Sequence, residues 1–187
     1  MGYYDEVKNV ENYIKMAEGY DGATLISKLQ DYLPAGSSVL ELGMGPGKDL
    51  ALLQEHYRVT GSDSSTLFVE RYRQIDPQAD VVTLDAVTMD IDRQFDAIYS
   101  NKVLYHLTKA DFKQSLMAQA QVLNEKGILF HALWYGDEEA DYHGVHSVYY
   151  TEETLQDAIG DSYEILEFTR YTEMEEDDSF YVVLRRT

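Results

Sequence analysis

The sequence predicts an α/β fold, a mostly parallel sheet covered by helices, and three observations carry that reading. Short β-prone runs alternate with helical patterns along most of the chain, as they do in successive β-α-β units. The first run, Ser37 to Leu42, carries an acid at its end (Glu41) and stops at three glycines spaced one residue apart, Gly43, Gly45 and Gly47. Two later runs also close on an acid, Tyr57 to Ser62 on Asp63 and Val81 to Leu84 on Asp85.

Taken in order, residues 3–33 read as helical in two pieces divided near Gly19-Tyr20-Asp21-Gly22. Val7, Val10, Ile14 and Ala17 share one face of the first piece, and Leu25, Ile26, Leu29 and Leu33 one face of the second. Asp21 is expected to cap the second helix. Tyr3 and Tyr4 are expected to pack these helices onto the sheet. Tyr20, beside the two-glycine break, is consistent with packing or with a place over a ligand.

After Leu33-Pro34-Ala35-Gly36 comes the first strand, then the glycine turn. Glycine suits a turn where φ must be positive or where a ligand must approach a backbone without Cβ. This turn feeds a helical pattern at 47–56 whose free N–H groups favour an electron-rich ligand, in the crevice where open α/β sheets bind nucleotides. The strand at 57–62 completes a right-handed unit. Ser64-Ser65 opens a helix through Leu67, Phe68 and Tyr72, stopped at Asp76-Pro77. A third strand at 80–84 and a polar loop at 87–92 precede the fourth strand, Phe95 to Ser100. A helix is expected from Asp111, with Phe112, Leu116, Ala120 and Leu123 in phase, ending in a turn at Asn124-Glu125-Lys126-Gly127. Ile128 to Trp134 is apolar almost throughout, as a strand covered on both faces should be. Tyr135 to Tyr150 reads as a polar, aromatic, histidine-bearing loop. Thr151 starts a short helix that ends near Gly160. Strands at 162–171 and 179–185 then form an antiparallel pair around the acidic run Glu173 to Asp178, a solvated hairpin turn.

Composition narrows the class. At 187 residues, one domain is expected, long enough to bury roughly 70% of its unfolded surface. The absence of cysteine rules out a disulfide frame, a thiolate nucleophile and Cys-ligated zinc. No apolar run approaches the roughly 18 residues of a membrane span. The N-terminal residues lack a signal core, and Glu6 stands where a myristoylation signal wants Ser or Thr. A soluble cytoplasmic protein, monomer or homodimer, with no membrane partner is expected. Fifteen basic and 34 acidic residues give a net charge of −19, a surface that repels a phosphate backbone, so nucleic acid is not expected as a partner. The surplus suits general solubility or adaptation to salt.

The run Glu41-Leu42-Gly43-Met44-Gly45-Pro46-Gly47, with Asp63 and Asp85 at the next two strand ends, resembles the class I S-adenosylmethionine-dependent methyltransferases. It departs from the dinucleotide G-x-G-x-x-G pattern. The resemblance covers nearly the whole chain and implies a three-layer Rossmann-like fold. Its seven-stranded sheet would have the order 3-2-1-4-5-7-6, with strand 7 antiparallel, beneath N-terminal cap helices. Residues 1–187 would form one methyltransferase domain, with cap helices at 1–33, a cofactor-binding core at 37–134, a substrate-side loop at 135–150 and a C-terminal helix and strand pair at 151–187. The cofactor would be S-adenosyl-L-methionine and the product S-adenosyl-L-homocysteine. Glu41, Gly43, Met44, Gly45 and Gly47 would hold the methionine part, and Asp63 with Ser64 the ribose, since a carboxylate accepts both hydrogen bonds of a vicinal diol. Asp85 and Ala86 would sit by the adenine. Tyr20 is the aromatic that a cap helix would supply to the pocket.

The segment after the fourth strand, Ser100-Asn101-Lys102-Val103-Leu104-Tyr105-His106-Leu107, resembles the small-molecule members that carry His-Leu there. It lacks the Asn-Pro-Pro-Tyr type of motif of amino-methylating DNA enzymes. Asn101 suits the methionine end of the cofactor, or a helix cap, and the two are not exclusive. Tyr105 and His106 are the catalytic candidates, His106 as a base of near-neutral pKa or as a structural histidine. Lys102, Tyr135, His143, His146 and Tyr149 are the substrate-side candidates. No metal is expected, because His143 and His146 lack a third ligand nearby. The expected activity is methyl transfer to a small-molecule acceptor, where aiming a nucleophile at an already electrophilic methyl can supply most of the rate. A cofactor-binding protein without transfer activity remains open. A nicotinamide oxidoreductase is disfavoured by the glycine spacing and by the lack of a Tyr-x-x-x-Lys pair.

Overall fold

The computed structural model describes residues 3–142 and 145–187. Helices α1 (Val7–Met16) and α2 (Ala23–Leu29) lead into strand β1 (Ser38–Leu42), followed by α3 (Lys48–Gln54), β2 (Arg58–Asp63), α4 (Thr66–Ile75), β3 (Val81–Thr83) and β4 (Phe95–Asn101). The chain continues through α5 (Lys109–Val122), β5 (Leu123–Trp134), a hairpin of β6 (Glu139–Tyr142) and β7 (Val145–Val148), α6 (Glu152–Ile159), β8 (Tyr163–Tyr171) and β9 (Ser179–Arg186). The main sheet has the order β3-β2-β1-β4-β5-β9-β8. β9 runs antiparallel between β5 and β8. This is the expected order, with β8 and β9 as the sixth and seventh strands of that sheet.

Alternation along the strands builds two cores. Leu40, Leu42 and Ile98 point to the side packed by α5 and α6, together with Phe112, Leu116 and Leu155. Val39, Ala97 and Tyr99 point to the other, with Leu25, Leu29, Leu50 and Tyr72 of α2, α3 and α4. A fully buried leucine such as Leu40 stabilises the fold by roughly 1.5–3 kcal/mol. With both faces covered, the carboxyl ends of β1 to β4 form the crevice where open α/β sheets take their ligands.

Several local expectations change. Only Val10 of α1 is buried and Val7 is 59% exposed, so α1 does not lie on the sheet. Asp21 stops short of capping α2: Gly22 is the N-cap, and Asp21 accepts from the Ala23 N–H at 2.9 Å one residue earlier. α5 starts before Asp111, because the Thr108 hydroxyl accepts from the Asp111 N–H at 3.1 Å and so sets the cap three residues upstream. Asn124–Gly127 is not a turn. α5 runs directly into β5, and the register shift between Phe95↔Leu123 and Ala97↔Ile128 absorbs these residues as an irregularity of the strand, with Lys126 at φ +59° and Asn124 tied to Asp96 at 2.8 Å. The loop at 135–150 contains the β6–β7 hairpin, paired from Glu139↔Val148 to Tyr142↔Val145. The Glu173–Asp178 turn is closed by Asp178. Burial opposes its charge, but the N–H groups of Glu173, Met174 and Glu175 outweigh that and hold its carboxyl at about 2. Among the described residues no helix is long and apolar enough to cross a membrane.

Candidate cofactor and acceptor site

The turn after β1 takes positive φ at all three glycines, +67° at Gly43, +48° at Gly45 and +84° at Gly47. Gly43 and Gly47 are glycine for different steric reasons. A Cβ at Gly43 would stand 2.5 Å from Cγ2 of Val103, and one at Gly47 would stand 2.0 Å from Cε2 of Tyr72. The first contact joins the turn to the segment after β4. The second packs α4 under the start of α3, so Gly47 serves packing and does not border the cavity. Met44 turns its sulfur toward Gly61 in the core.

Asp63 ends β2 and binds the turn. Its Oδ2 accepts from the Gly45 N–H and its Oδ1 from the Ser65 N–H, each at 2.9 Å. Burial pushes its carboxyl up while those two N–H groups pull it down. Each oxygen still has a lone pair for a ligand hydroxyl. Ser64, Asp85 and Ala86 border the same cavity of about 460 Å³. Asp85 is exposed and accepts from the Val87 N–H at 2.8 Å.

A smaller cavity of about 200 Å³ adjoins it between Tyr20, Glu41, Gly43, Asp49 and Asn101. The Asn101 amide nitrogen donates to Asp49 Oδ2 at 3.0 Å and contacts the Tyr20 hydroxyl. Its Oδ1 is therefore left as a buried acceptor with no partner, as is Glu41 Oε2. Asp49 Oδ2 also accepts from the Tyr99 hydroxyl at 2.9 Å. Burial pushes the carboxyls of Glu41 and Asp49 up, and the fields of Asp49 and Asp63 add to the shift at Glu41. Glu41 Oε2, Asp49 Oδ1 and Asn101 Oδ1, three buried acceptors with no partner among the described residues, make a socket for an ammonium. Sequence reasoning missed Asp49, whose place in the first turn of α3 is equally that of an acid favoured by the helix dipole.

The N-terminal residues roof the main cavity. Tyr13 places its ring over Gly45, where a Cβ would be 3.3 Å from Cε1. Tyr4 and Tyr13 meet edge to face at 5.4 Å, and Tyr13 meets Phe68 at 5.8 Å. Tyr3 and Tyr4, expected to pack on the sheet, border the cavity instead. They are drawn there by this aromatic cluster and by the Ser65 hydroxyl, which donates to the Tyr4 carbonyl at 2.7 Å. Tyr13, Phe68, Leu104 and Trp134 are further wall residues that the sequence reading did not assign to the site.

On the opposite side His106 is fixed by its Nδ1, 2.8 Å from the carbonyl oxygen of His146. A carbonyl only accepts, so Nδ1 carries the proton and the neutral ring presents its lone pair at Nε2. Burial pushes the His106 pKa down, partly offset by that carbonyl. Tyr105 packs beside it, ring centres 3.9 Å apart and planes tilted by 37°, its phenol raised to about 12 mainly by burial. Tyr149, Trp134 and Tyr105 border an outer cavity of about 380 Å³ that shares walls with the main one. His146 borders the main cavity and lies 3.1 Å from Asp141. Of the remaining substrate-side candidates, Lys102 borders the main and the smaller cavity but ties its ammonium to other groups, and Tyr135 points elsewhere. Lys102, at φ +54°, sends its ammonium to the Leu133 carbonyl at 2.9 Å and the Ser179 hydroxyl at 2.7 Å, 3.6 Å from the centre of the Trp134 ring. Burial lowers its pKa to about 8. Tyr135 faces Phe180 and the Arg170 guanidinium, away from all three cavities, because the strand alternation that turns Trp134 inward turns its neighbour outward. His143 lies outside the described residues. Among the described residues no group of three His, Cys, Asp or Glu is placed to hold a metal ion.

Residues 39–127 match the family model of a methyltransferase domain. No curated protein sequence matches at a significant level. Among solved structures, the chain is similar to a Burkholderia thailandensis 1,6-didemethyltoxoflavin N1-methyltransferase with bound 1,6-didemethyltoxoflavin and S-adenosylhomocysteine. That likeness is 18% identical over 97% of this chain and 85% of the other, with a TM-score of 0.79. A glycopeptide N-methyltransferase complexed with S-adenosylhomocysteine is 14% identical over 90% of this chain and 91% of its own, at a TM-score of 0.74. The N-methyltransferase NodS of Bradyrhizobium japonicum, also in complex with S-adenosylhomocysteine, is 17% identical over 87% and 84%, at 0.68. At these identities the likeness is one of fold.

Proposed function

We propose that this protein, which has the class I methyltransferase fold and matches a methyltransferase-domain model over residues 39–127, is an S-adenosylmethionine-dependent methyltransferase acting on a small-molecule acceptor. The whole chain works as one domain, in the cytoplasm. The observation that carries the reading is the set of three unpartnered buried acceptors, Glu41 Oε2, Asp49 Oδ1 and Asn101 Oδ1, in a cavity that adjoins the one holding Asp63. An amino acid joined to a nucleoside has that polarity: an ammonium at one end and a vicinal diol at the other.

In this reading Glu41 and Asn101 take the ammonium, and Asp49 holds Asn101 in orientation. Tyr20 closes that end. Asp63 takes the ribose hydroxyls, with Gly43 and Gly45 giving the backbone approach between the two ends, and Ala86, Leu84 and Phe68 flank the base. When bound, the cofactor supplies an electrophilic methyl on a sulfonium. The chain's own contribution is to hold the acceptor in line from the outer cavity, to exclude water with the tyrosine roof, and to accept a proton at His106 Nε2. The solved structures it is similar to include enzymes named as N-methyltransferases, which favours nitrogen as the reacting atom.

Calorimetry with S-adenosylmethionine, S-adenosylhomocysteine and NAD tests the reading. Saturable one-to-one binding of the first two and none of the third is expected. No heat with either adenosyl ligand would overturn it.

A further inference from the structure

We infer that the acceptor is an uncharged, planar ring system bearing an N–H or O–H of phenol-like acidity, seated against Trp134 and Tyr149 and surrendering its proton to Nε2 of His106. The inference rests on the methyltransferase reading and narrows it to a substrate class.

The composition of the outer cavity carries it. Among the described residues its wall holds Tyr3, Tyr4, Tyr13, Tyr105, Trp134 and Tyr149, with Asn9, Asn12 and Ser147 as polar points, and no Asp, Glu, Lys or Arg. In a chain with 34 acidic residues, a site for a cationic amine has carboxylates at hand, and this wall uses none. Lys102 borders the main cavity but not this one, and two of its three N–H groups go to Leu133 and Ser179, so the described wall of the outer cavity offers a carboxylate or phosphate no cation either. Burying an unpaired charge of either sign is costly, whereas a neutral ring gains from every aromatic wall it covers. Tyrosine faces also attract cations. A protonated amine held that way has no lone pair to offer, however, and must first lose its proton in a site that favours its charge.

The fixed tautomer of His106 sets the acidity of the reacting group. With Nδ1–H committed to the His146 carbonyl, Nε2 accepts no hydrogen bond from the described residues, and His106 lines both the main and the outer cavity. Burial makes this imidazole a weaker base than a free one. It matches a ring hydroxyl or ring N–H near the tyrosine value of about 10, and falls far short for an aliphatic alcohol nearer water's value of about 15.7. In the transfer, the lone pair of the ring nitrogen or oxygen forms the bond to the methyl carbon. The methyl–sulfur bond breaks with its pair left on sulfur, and the proton passes to Nε2 and on to solvent. The neutral Tyr105 phenol and the Asn12 amide are left to read the polar edge of the ring, while the Asn9 amide nitrogen is held by the Tyr3 carbonyl at 2.8 Å.

Trp134 is the chain's one tryptophan, so its fluorescence reports this wall without any turnover. Protein first shown by calorimetry to bind S-adenosylhomocysteine is titrated with 2-naphthol, 4-hydroxyquinoline, 1-naphthylmethylammonium, 2-naphthoate and 1-adamantanol. Saturable quenching by the two neutral planar probes, with affinity about tenfold or more above that of the charged and non-planar ones, is expected. Equal or tighter binding of either charged probe, or no quenching by any probe, overturns the substrate class. Failure to bind S-adenosylhomocysteine overturns the methyltransferase reading instead. A second measurement follows methyl transfer to the better neutral probe: His106→Gln should keep its affinity within about twofold and lose about 100-fold or more in rate. Unchanged transfer would remove the base.

Discussion

The Asp63 carboxylate accepts a 2.9 Å hydrogen bond from the backbone N–H of Gly45, so the acid that ends one strand holds the turn that follows its neighbour. The same carboxylate takes the Ser65 N–H at 2.9 Å, which leaves both oxygens engaged before any ligand arrives. Asp63→Asn keeps the shape but replaces one acceptor by a donor, facing a backbone N–H. The expected result is a loss of about 10–100-fold in S-adenosylhomocysteine affinity by calorimetry and of about 1–3 kcal/mol in stability by urea denaturation. An affinity within about twofold of the parent would mean that Asp63 braces the turn without touching the ligand.

Gly43 and Val103 make a steric pair that can be tested as one. Gly43→Ala places a methyl 2.5 Å from Val103 Cγ2, at a φ of +67° that costs a side chain roughly 1–2 kcal/mol by itself. Overpacking adds roughly 1–3 kcal/mol. Val103→Ala removes the two closest contacts, leaves its own Cβ at 3.1 Å and leaves the backbone strain. A double-mutant cycle on urea midpoints should therefore return a coupling of about 1–3 kcal/mol in favour of the double variant. Additive single effects would show that the glycine is needed for its backbone angle alone.

These two pairs also mark where the sequence stops being legible. The strands and the glycine turn follow from the β-prone runs, the spacing of Gly43, Gly45 and Gly47, and the acids at Glu41 and Asp63, because such signals are local; the strand order comes only with the family resemblance that those residues carry. Partners distant in sequence are not. Tyr13 lies on the same helical face as Val10 and Ala17 whether α1 covers a sheet or a cavity, and only the packed chain decides which. Trp134 and Tyr135 are adjacent aromatics, and the register of β5 against β9 is what turns the first inward and the second toward Arg170. Lys102 reads as a substrate-side cation until its left-handed backbone is seen to direct it at Leu133. Asn124-Glu125-Lys126-Gly127 has the composition of a turn, but pairing with β4 on the far side of a register shift absorbs it into β5.

His106 sets the acid side of the rate profile. Its pKa lies below the ordinary histidine value because burial disfavours the charged ring and the neighbouring His146 adds to that, against a smaller pull from the His146 carbonyl. Tyr105, packed beside it, stays neutral through this range. Protonation removes the Nε2 lone pair, so kcat/KM at saturating cofactor should fall as pH drops through a midpoint under about 6.5. The profile of His106→Gln should be flat over the same interval. A limb that survives in His106→Gln would assign it to another group, with Glu41, Asp49 and Asp63 next in line since their carboxyls are all pushed up by burial.

His131 gives the fold its own acid limit, through a buried chain whose every proton can be placed. Ser115 Oγ donates to the Ala86 carbonyl at 2.6 Å and accepts from Gln119 Nε2 at 2.9 Å. Gln119 must then present Oε1 to His131 Nε2, 2.9 Å away, so Nε2 carries the hydrogen and Nδ1 accepts from Ser100 Oγ at 2.8 Å. A second proton on the ring would face the Ser100 hydroxyl with two donors. Complete burial pushes the pKa down to about 3, against a small opposing pull from the Phe130 backbone. The unfolded chain takes up this proton below about 6.5 and the folded chain does not. The contribution of His131 is thus whole above that pH and is lost at up to about 1.4 kcal/mol per pH unit as pH falls toward 3. The raised carboxyls of Glu41, Asp49 and Asp63 act in the opposite sense, so the measurement is the difference between parent and His131→Gln. At pH near 7.5 the variant should be less stable by about 1–3 kcal/mol. The gap should close, and then reverse, as the pH of the urea titrations is lowered below about 6. A constant gap would show that the folded ring titrates like a free one and that the chain from Ser100 to Ala86 does not hold it neutral.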